Sequence, residues 1–244
     1  MAQYIYGKNM VASLLDDRRP ISRLYVLSGR PDDPLADRAR RQGIEVVTAG
    51  RDQLDKLAAG SHQGYVAETA DFRLYSLDEI RAAIPEGKLP LLIALDSLED
   101  PHNLGAIMRT AECVGADGII IEKDRSVTLN ATVAKVSAGA IDSVKVTAVT
   151  NLAATLRQLK EHGYWVCGTA AEGSQDYRQA RYDMPLVLVI GSEGRGMRRL
   201  IRDNCDFTVR LPMFGTVGSL NASVACGIIL YAIYDRRYPL EKGQ

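Results

Sequence analysis

Short apolar blocks separated by amphipathic segments fill the first 70 residues, a pattern typical of a small α/β unit. Pro34 falls in the first turn of one amphipathic segment and Gly43 follows its end, as helix boundaries favour. The predicted strands are 23–28, 44–48 and 65–70, and the predicted helices are 8–17, 33–42 and 51–59.

The pattern changes at residues 73–90. This stretch has one short helical segment, residues 77–84, and then Pro85, Gly87 and Pro90. Because proline and glycine interrupt regular elements, the sequence predicts a linker here. The predicted organisation is a domain at 1–72, a linker at 73–90 and a second domain at 91–244.

The second domain alternates strongly apolar blocks with helical segments. LLIALD at 91–96 and GIIIE at 118–122 are continuous apolar runs, typical of parallel strands covered on both faces. The predicted fold class is therefore α/β, with a parallel sheet in the second domain. Further strands are predicted at 144–149, 164–169, 185–191 and 207–211, and helices at 104–114, 127–140, 152–162, 196–204 and 219–236.

Two phosphate-binding loops are excluded by the glycine spacing. The chain lacks G-x-x-x-x-G-K-[ST], and the segment 191–196 has its glycines at the wrong offsets for G-x-G-x-x-G. It also carries Glu193, whose carboxylate would repel a pyrophosphate. In isolation this segment is better interpreted as a strand-to-helix turn that needs glycine.

Two other segments carry polar residues beside predicted helices. Asn103 opens the helix after 91–96, and Arg109 lies six residues on, where the helical pattern alone favours an ordinary exposed arginine. Ser219 and Asn221 end the long loop 211–221, and either is a suitable N-cap. A long loop after a strand is also where α/β sheets bind ligands.

Together the segments DPHNLGAIMRTAECVGADGIII, LVLVIGSEGRGM and LPMFGTVGSLNASVA change this interpretation. In order, spacing and residue type they resemble the three motifs of the SpoU (TrmH-like) branch of the SPOUT methyltransferases, over residues 91–238. The first domain looks like the small L30e-like RNA-binding domain of members that act on ribosomal RNA. HQGYVAE at 62–68 and the opening YGKN are similar to the subgroup that methylates guanosine in 23S ribosomal RNA.

The resemblance implies S-adenosylmethionine (AdoMet) as methyl donor, an RNA ribose 2′-hydroxyl as acceptor, a homodimer formed by the C-terminal domain, and a trefoil knot there. The alternatives are the same chemistry on a transfer RNA or another ribosomal site, and a non-catalytic RNA-binding protein with this fold. The catalytic residues that it implies are Asn103, Arg109, Glu193, Ser219 and Asn221, and the cofactor residues are Thr169, Gly191, Leu211, Met213 and Leu220.

Roles for these residues follow from their chemistry. A guanidinium stays protonated, so Arg109 is expected to clamp the phosphate beside the target ribose and to stabilise developing charge. Glu193 is expected to orient Arg109, and the other catalytic candidates to position substrate. Gly191 is expected to be a glycine because a side chain would keep the cofactor from the backbone, and Leu211 and Leu220 are expected to enclose the adenine.

Net charge limits how RNA is held. The chain has 30 Lys and Arg against 30 Asp and Glu, and residues 1–90 contain 13 of each sign. Binding by bulk positive charge is therefore excluded, which leaves local clusters. For each cluster alone, a solvated surface is as good an interpretation as RNA contact. The candidate RNA-binding residues are Arg18, Arg19, Arg38, Arg41, Arg195, Arg198 and Arg199, of which the last three have helical spacing.

The cysteines and the apolar runs bear on location. Four isolated cysteines predict buried free thiols in a reducing compartment and no metal site. The longest apolar run, 224–234, is 11 residues, shorter than the ~18 that a membrane span needs. We expect a cytoplasmic, soluble protein with RNA as partner and with no DNA or membrane partner.

Overall fold

The computed structural model describes residues 3–16, 21–30, 32–69, 72–216 and 218–240. The chain divides into two compact units, Met1–Phe72 and Arg73–Gln244. Each unit has its own sheet and its own core, so the α/β fold class and the presence of two domains are confirmed.

The first unit, in its described part, is a mixed four-stranded sheet with helices. The sheet has the order β1-β4-β2-β3, in which β2 and β3 are parallel and the other neighbours are antiparallel. The first of these strands was not predicted from the sequence. The elements are β1 (Gln3–Tyr6), α1 (Lys8–Asp16), β2 (Ile21–Leu27), α2 (Pro34–Arg41), β3 (Glu45–Ala49), α3 (Arg51–Leu57) and β4 (Tyr65–Thr69).

Asp33 fixes the start of α2 to the sheet. Its Oδ1 accepts hydrogen bonds from the backbone N–H groups of Leu35 (3.0 Å) and Ala36 (3.1 Å), and the Tyr65 hydroxyl donates to its Oδ2 at 2.5 Å. Burial opposes ionisation of Asp33, but these hydrogen bonds outweigh it and lower the pKa of the carboxyl. The first turn of helix α2 is therefore held against strand β4.

The second unit is built on a parallel sheet of seven strands in the described residues. Their order is β7-β6-β5-β10-β8-β11-β9. The elements are α4 (Leu77–Ala82), β5 (Leu91–Asp96), α5 (Pro101–Cys113), β6 (Gly118–Glu122), α6 (Ala131–Val136), α7 (Ala140–Ser143), β7 (Val146–Val149), α8 (Leu152–Glu161), β8 (Trp165–Thr169), β9 (Gln175–Asp176), β10 (Leu186–Gly191), α9 (Arg199–Arg202), β11 (Phe207–Arg210) and α10 (Ala222–Arg237).

The central strands β5, β6 and β10 are buried along their whole length, as their apolar runs predict. Helices α4, α8 and α9 contribute Ile80, Leu156 and Ile201 to a core cluster together with Leu92 and Val187 of the sheet. Helix α10 packs on α5. The two motif-bearing helices of this unit thus lie side by side.

Three predicted elements differ from the structure. Residues 73–90 belong to the second unit rather than standing between the units, because Ile80 is fully buried in its core and the Tyr75 N–H donates to the Val146 carbonyl oxygen. The helix predicted over 127–140 is two short helices, since Ala138 and Gly139 have left-handed backbone angles. The helix predicted at 196–204 is only α9.

The cysteines are partly as expected. Cys167 and Cys226 are buried free thiols, but Cys113, the last residue of α5, is exposed. Burial raises the pKa of Cys205 to about 12. The described residues contain no cluster of His, Cys, Asp or Glu side chains that could hold a metal ion. No helix in this described part of the chain is long and apolar enough to cross a membrane.

Candidate active site

The motif residues meet at the carboxyl edge of the parallel sheet. Strands β5 and β10 are neighbours, with Gly191 opposite Asp96 at their last residues. The segments that follow β5, β10 and β11 all leave from this edge, which is the edge where open α/β sheets bind ligands. We call residues 192–197 the anchored turn and residues 211–221 the open loop.

Asn103, Glu193 and Asn221, which are far apart in sequence, form one hydrogen-bonded cluster. Glu193 Oε1 accepts hydrogen bonds from Asn221 Nδ2 (2.6 Å), Asn103 Nδ2 (3.1 Å) and the backbone N–H of Ala222 (3.3 Å). Asn221 Nδ2 also donates to Asn103 Oδ1 at 2.8 Å. Asn103 is only 3% exposed. One carboxylate oxygen thus joins the starts of α5 and α10.

Asn221 is fully used by this cluster and by helix capping. Its Oδ1 accepts from the backbone N–H groups of Ser223 (2.9 Å) and Val224 (3.2 Å), so it is the N-cap of α10. Ser219, the other candidate cap, is exposed and makes no hydrogen bond to the described residues. The second oxygen of Glu193, Oε2, also has no partner among them and is available to a substrate.

Arg109 is an exposed residue of α5 without a hydrogen bond or ion pair in the described part of the chain. Within this chain Glu193 does not contact Arg109, because its Oε1 binds Asn103, Asn221 and Ala222 instead, so the expectation that Glu193 orients Arg109 stays a prediction. Six residues of helix separate Arg109 from Asn103 by ~9 Å along the axis and turn it to another face. Its guanidinium is therefore available to a ligand.

Gly191 is required by the anchored turn itself. A Cβ on it would lie 2.3 Å from the backbone of Gly196 and Met197, so no other residue fits. Ser192 and Gly196 exchange two backbone hydrogen bonds (3.2 and 2.9 Å) across the turn, and Gly194 and Gly196 have φ of 77° and 66°. The physical reason for Gly191 is thus the returning chain, rather than the ligand approach that we expected.

Arg198 is held by two carboxylates at the end of the sheet. Its Nε donates to Asp96 Oδ1 at 2.6 Å, and its Nη2 donates to Glu122 Oε1 at 2.7 Å. Partial burial alone would lower the pKa of Arg198, but the hydrogen bonds to Glu122 and Asp96 outweigh it and raise that pKa. Its side chain is 38% exposed, but Nε and Nη2 are occupied by two buried carboxylates, which argues against the prediction that it contacts RNA.

The other arginine candidates differ in availability. Arg41 and Arg195 are exposed, and Arg199 has a 95% exposed side chain with only a long 3.8 Å pair to Asp203. Arg38 is half-buried and paired with Asp16. Arg18 and Arg19 lie outside the described residues.

The cofactor candidates line the edge beside these groups. Thr169 ends β8 and donates its hydroxyl to the Val189 carbonyl oxygen at 3.1 Å. In the open loop Leu211 is half-buried, and Met213 and Leu220 are 41% and 38% exposed. None of the described residues of 211–216 and 218–220 makes a hydrogen bond. Their backbone groups are thus available to a ligand.

Sequence reasoning missed Asp96 and Glu122. Asp96 is fully buried at the end of β5 and Glu122 is 6% exposed at the end of β6. An acidic residue at the end of a continuous apolar run can be recognised in the sequence. It indicates a buried ion pair, because a buried carboxylate needs a partner. The identity of the partner, Arg198, cannot be predicted from the spacing of residues along the sequence.

The C-terminal helix is buried on one side only. Cys226, Ile229, Leu230 and Ile233 are buried, as its apolar composition predicts. The exposed side carries Val224, Ile228, Tyr231 and Tyr234, each between 37% and 50% exposed. The Tyr231 and Tyr234 rings lie 6.2 Å apart. The single chain therefore leaves an apolar stripe without cover.

Comparison with known proteins decides the family. Residues 90–231 match the model of the SpoU rRNA Methylase family, and residues 4–75 match that of RNA 2′-O ribose methyltransferase substrate binding. The chain belongs to the SpoU rRNA methylase family. This SpoU-family chain is accordingly an RNA 2′-O-ribose methyltransferase with a substrate-binding unit at its N-terminal side.

The relatives of this SpoU-family protein cover its whole length. It is 47% identical over 242 residues to a Bacillus subtilis (strain 168) protein named as a TrmH family tRNA/rRNA methyltransferase, YacO, with 97% of each chain covered. It is 45% identical over 238 residues to a protein of that family name in Staphylococcus haemolyticus, with 96% of each covered. These names do not decide between transfer RNA and ribosomal RNA.

Solved structures have the same fold. The SpoU methyltransferase AviRb from Streptomyces viridochromogenes, solved in complex with AdoMet, aligns with a TM-score of 0.70 at 24% identity, covering 98% of this chain and 92% of AviRb. An AdoMet-bound rRNA methyltransferase from Sinorhizobium meliloti aligns with a TM-score of 0.65 at 25% identity, covering 98% and 88%.

Proposed function

We propose that this SpoU-family enzyme transfers the methyl group of AdoMet to the ribose 2′-hydroxyl of a guanosine in 23S ribosomal RNA. The observation that carries the proposal is the free guanidinium of Arg109 on the helix whose first turn holds the Asn103, Glu193 and Asn221 cluster. The ribosomal target rests on the likeness of the first unit to rRNA-acting members. A transfer RNA target is the second candidate, because the names of the relatives include transfer RNA beside ribosomal RNA.

The residues at the carboxyl edge fit AdoMet. An adenosine needs backbone donors and acceptors for its ring and ribose and apolar walls for its faces. The open loop supplies both, because its described backbone groups are unpaired and Met213 and Leu220 are partly exposed. Gly191, Leu211 and Leu220 would hold the cofactor through backbone groups, with Thr169 and Met213 beside it. Bound there, AdoMet supplies an electrophilic methyl group.

Arg109 binds RNA and stabilises charge. Its guanidinium remains protonated, so it clamps a phosphate next to the target ribose and stabilises negative charge that develops on the attacking oxygen. Glu193 Oε2 accepts a hydrogen bond from the substrate. The cluster around Oε1 keeps that carboxylate in place, which holds the reacting groups close to attack geometry.

Replacement of Arg109 by alanine tests the proposal. We expect kcat for RNA methylation to fall by about 100-fold, the scale of losing a charge-assisted contact made in the transition state, while AdoMet binding by calorimetry is unchanged. Mapping 2′-O-methyl sites in total RNA with and without the protein identifies the target. Absence of any lost site on deletion contradicts the proposal, and a lost site in transfer RNA replaces the ribosomal target.

The exposed apolar stripe of α10 supports the proposal of a homodimer formed through this helix. Contiguous apolar surface on a monomer marks an interaction site, and a second copy of the same stripe is its complement. In such a dimer Arg109, on the neighbouring helix α5, acts across the interface. Mixing a subunit that carries Arg109→Ala with one that carries Leu220→Ala, at an AdoMet concentration too low to saturate the Leu220→Ala site, then gives more activity than the two variants measured separately. No recovery in the mixture overturns shared sites.

The exposed arginines are the proposed RNA contacts. Arg195 lies in the anchored turn, Arg199 lies just after it, and Arg41 lies on α2 of the first unit. Arg38 is a weaker candidate, since its guanidinium pairs with Asp16. Because the net charge is zero, we expect a small number of phosphate contacts and a modest salt dependence of RNA affinity.

A further inference from the structure

The anchored turn begins and ends at one buried carboxylate. Gly191 lies opposite Asp96 in the β5/β10 pair, so the turn starts beside Asp96. Arg198, directly after the turn, returns to it: its backbone N–H donates to Asp96 Oδ2 at 2.7 Å and its Nε donates to Oδ1 at 2.6 Å. Asp96 has no exposed surface. The two ends of the turn are therefore fixed to the end of one strand.

A second strand strengthens this connection. Arg198 Nη2 donates to Glu122 Oε1 at 2.7 Å, so the guanidinium spans the ends of β5 and β6. Glu122 Oε2 has no hydrogen-bond partner in the described structure. Among the described residues, Arg198 is the one cation paired with either carboxylate. Removing it leaves two buried negative charges without compensation, which is costly.

The turn carries Glu193 between these fixed ends. The backbone exchange of Ser192 with Gly196 closes the turn, and Glu193 projects from it to Asn103 and Asn221. We propose that Arg198 and Asp96 are positioning residues, which act through Glu193 and set the geometry of its cluster. This inference rests on the proposed role of that cluster in methyl transfer, and it gives Arg198 a task other than RNA contact.

A double-mutant cycle tests whether Arg198 acts through Glu193. We expect Arg198→Ala to lower kcat by at least about tenfold, the factor for one lost charge-assisted hydrogen bond, with a smaller change in the KM for AdoMet. If the effect passes through Glu193, the double variant with Glu193→Ala is no less active than Glu193→Ala alone. If the two separate losses of kcat multiply in the double variant, as expected for a general loss of folded protein, the inference is overturned.

Two variants serve as controls for folding and charge. Arg198→Lys keeps the cation and one contact to Asp96, so it recovers part of the lost kcat. Arg181→Ala removes an arginine from an exposed pair with Asp183, whose side chains are 80% and 60% exposed, and leaves kcat unchanged. A loss in Arg181→Ala equal to that in Arg198→Ala contradicts the assignment.

Amide hydrogen exchange on the full chain reports the turn without any catalysis. The N–H groups of Ser192 and Gly196 donate within the turn, so we expect Arg198→Ala to speed their exchange at least tenfold. The neighbouring Arg199→Ala leaves that exchange unchanged, since its side chain is 95% exposed. Unchanged exchange in Arg198→Ala overturns the inference. Faster exchange in a protein that methylates no RNA supports this inference and contradicts the proposed function.

Discussion

The anchored turn and the open loop leave the same edge of the sheet, after strands β10 and β11 that flank β8, but they are held in opposite ways. The turn is closed by its own backbone and fixed to Asp96 through Arg198. The loop makes no hydrogen bond through its described residues 211–216 and 218–220, and Phe214 is fully exposed. The turn and the loop line one candidate site. The turn is held by hydrogen bonds before a ligand binds, and the described part of the loop is not.

We therefore expect the turn and the loop to have different roles in the reaction. The turn presents a carboxylate whose position is already set, so it contributes geometry to the reaction without further ordering. The loop has unpaired backbone groups and partly exposed apolar side chains, which a cofactor satisfies and covers. We therefore expect changes in the turn to lower kcat, and changes in the loop to weaken AdoMet binding.

The largest expected effect is that of Glu193→Ala. It leaves Asn103 Nδ2 and the Ala222 N–H without an acceptor and Asn221 Nδ2 with only Asn103 Oδ1, and Asn103 is buried. We expect kcat to fall by about 100-fold, from the loss of charge-assisted hydrogen bonds, with AdoMet affinity changed about threefold or less. Measured kinetics with a fixed RNA fragment decide this. A loss confined to AdoMet affinity would remove the distinction between turn and loop.

The next effect belongs to the open loop. Leu220→Ala removes apolar surface that the adenine covers, and we expect the Kd for AdoMet to rise about tenfold, as for one buried leucine side chain. The KM for AdoMet rises more than kcat falls. Calorimetric titration measures the Kd, and Phe214→Ala, beside it in the loop and fully exposed, is the matched control. Equal effects of the two variants argue against an adenine contact at Leu220.

Stability distinguishes the anchor from ordinary surface pairs. Asp96→Asn weakens both contacts to Arg198, and we expect the free energy of unfolding to fall by about 3 kcal/mol, as for breaking a buried pair. Glu122→Gln costs less, because only Oε1 is bonded. Denaturant unfolding measures both. Asp183→Asn, in an exposed pair with Arg181, is the control and changes stability little.

The smallest effect concerns RNA affinity outside the turn. Arg199→Glu places a negative charge on an exposed position, and we expect RNA binding to weaken about threefold to tenfold, with a smaller salt slope. AdoMet binding stays as in the wild type. Filter binding at several salt concentrations gives both quantities. An unchanged RNA affinity removes Arg199 from the RNA surface.

The sequence predicted the sheet edge and its cluster better than the anchor. Apolar runs identify β5, β6 and β10 because those strands are buried on both faces, and the motifs identify Asn103, Glu193 and Asn221. Spacing failed at Arg198, which is extended (φ −61°, ψ 147°) and precedes α9, so helical periodicity does not apply to it.

Two other features are also missed by local sequence patterns. Ile80 was counted in a linker because the nearby prolines and glycine dominate the pattern, yet its side chain is fully buried. The pairing of Asp96 with Arg198 joins residues 102 apart, and no local pattern records such a contact. The trefoil knot, the homodimer and the RNA target stay predictions that come from family likeness.

The division between turn and loop is tested most directly by amide hydrogen exchange of the full chain with and without AdoMet. We expect AdoMet to slow exchange in the described parts of the open loop, 211–216 and 218–221, by at least about tenfold. Exchange in residues 192–197 changes much less, because their hydrogen bonds already exist. Protection of the turn with an unchanged loop, or no protection of either segment, would contradict this expectation.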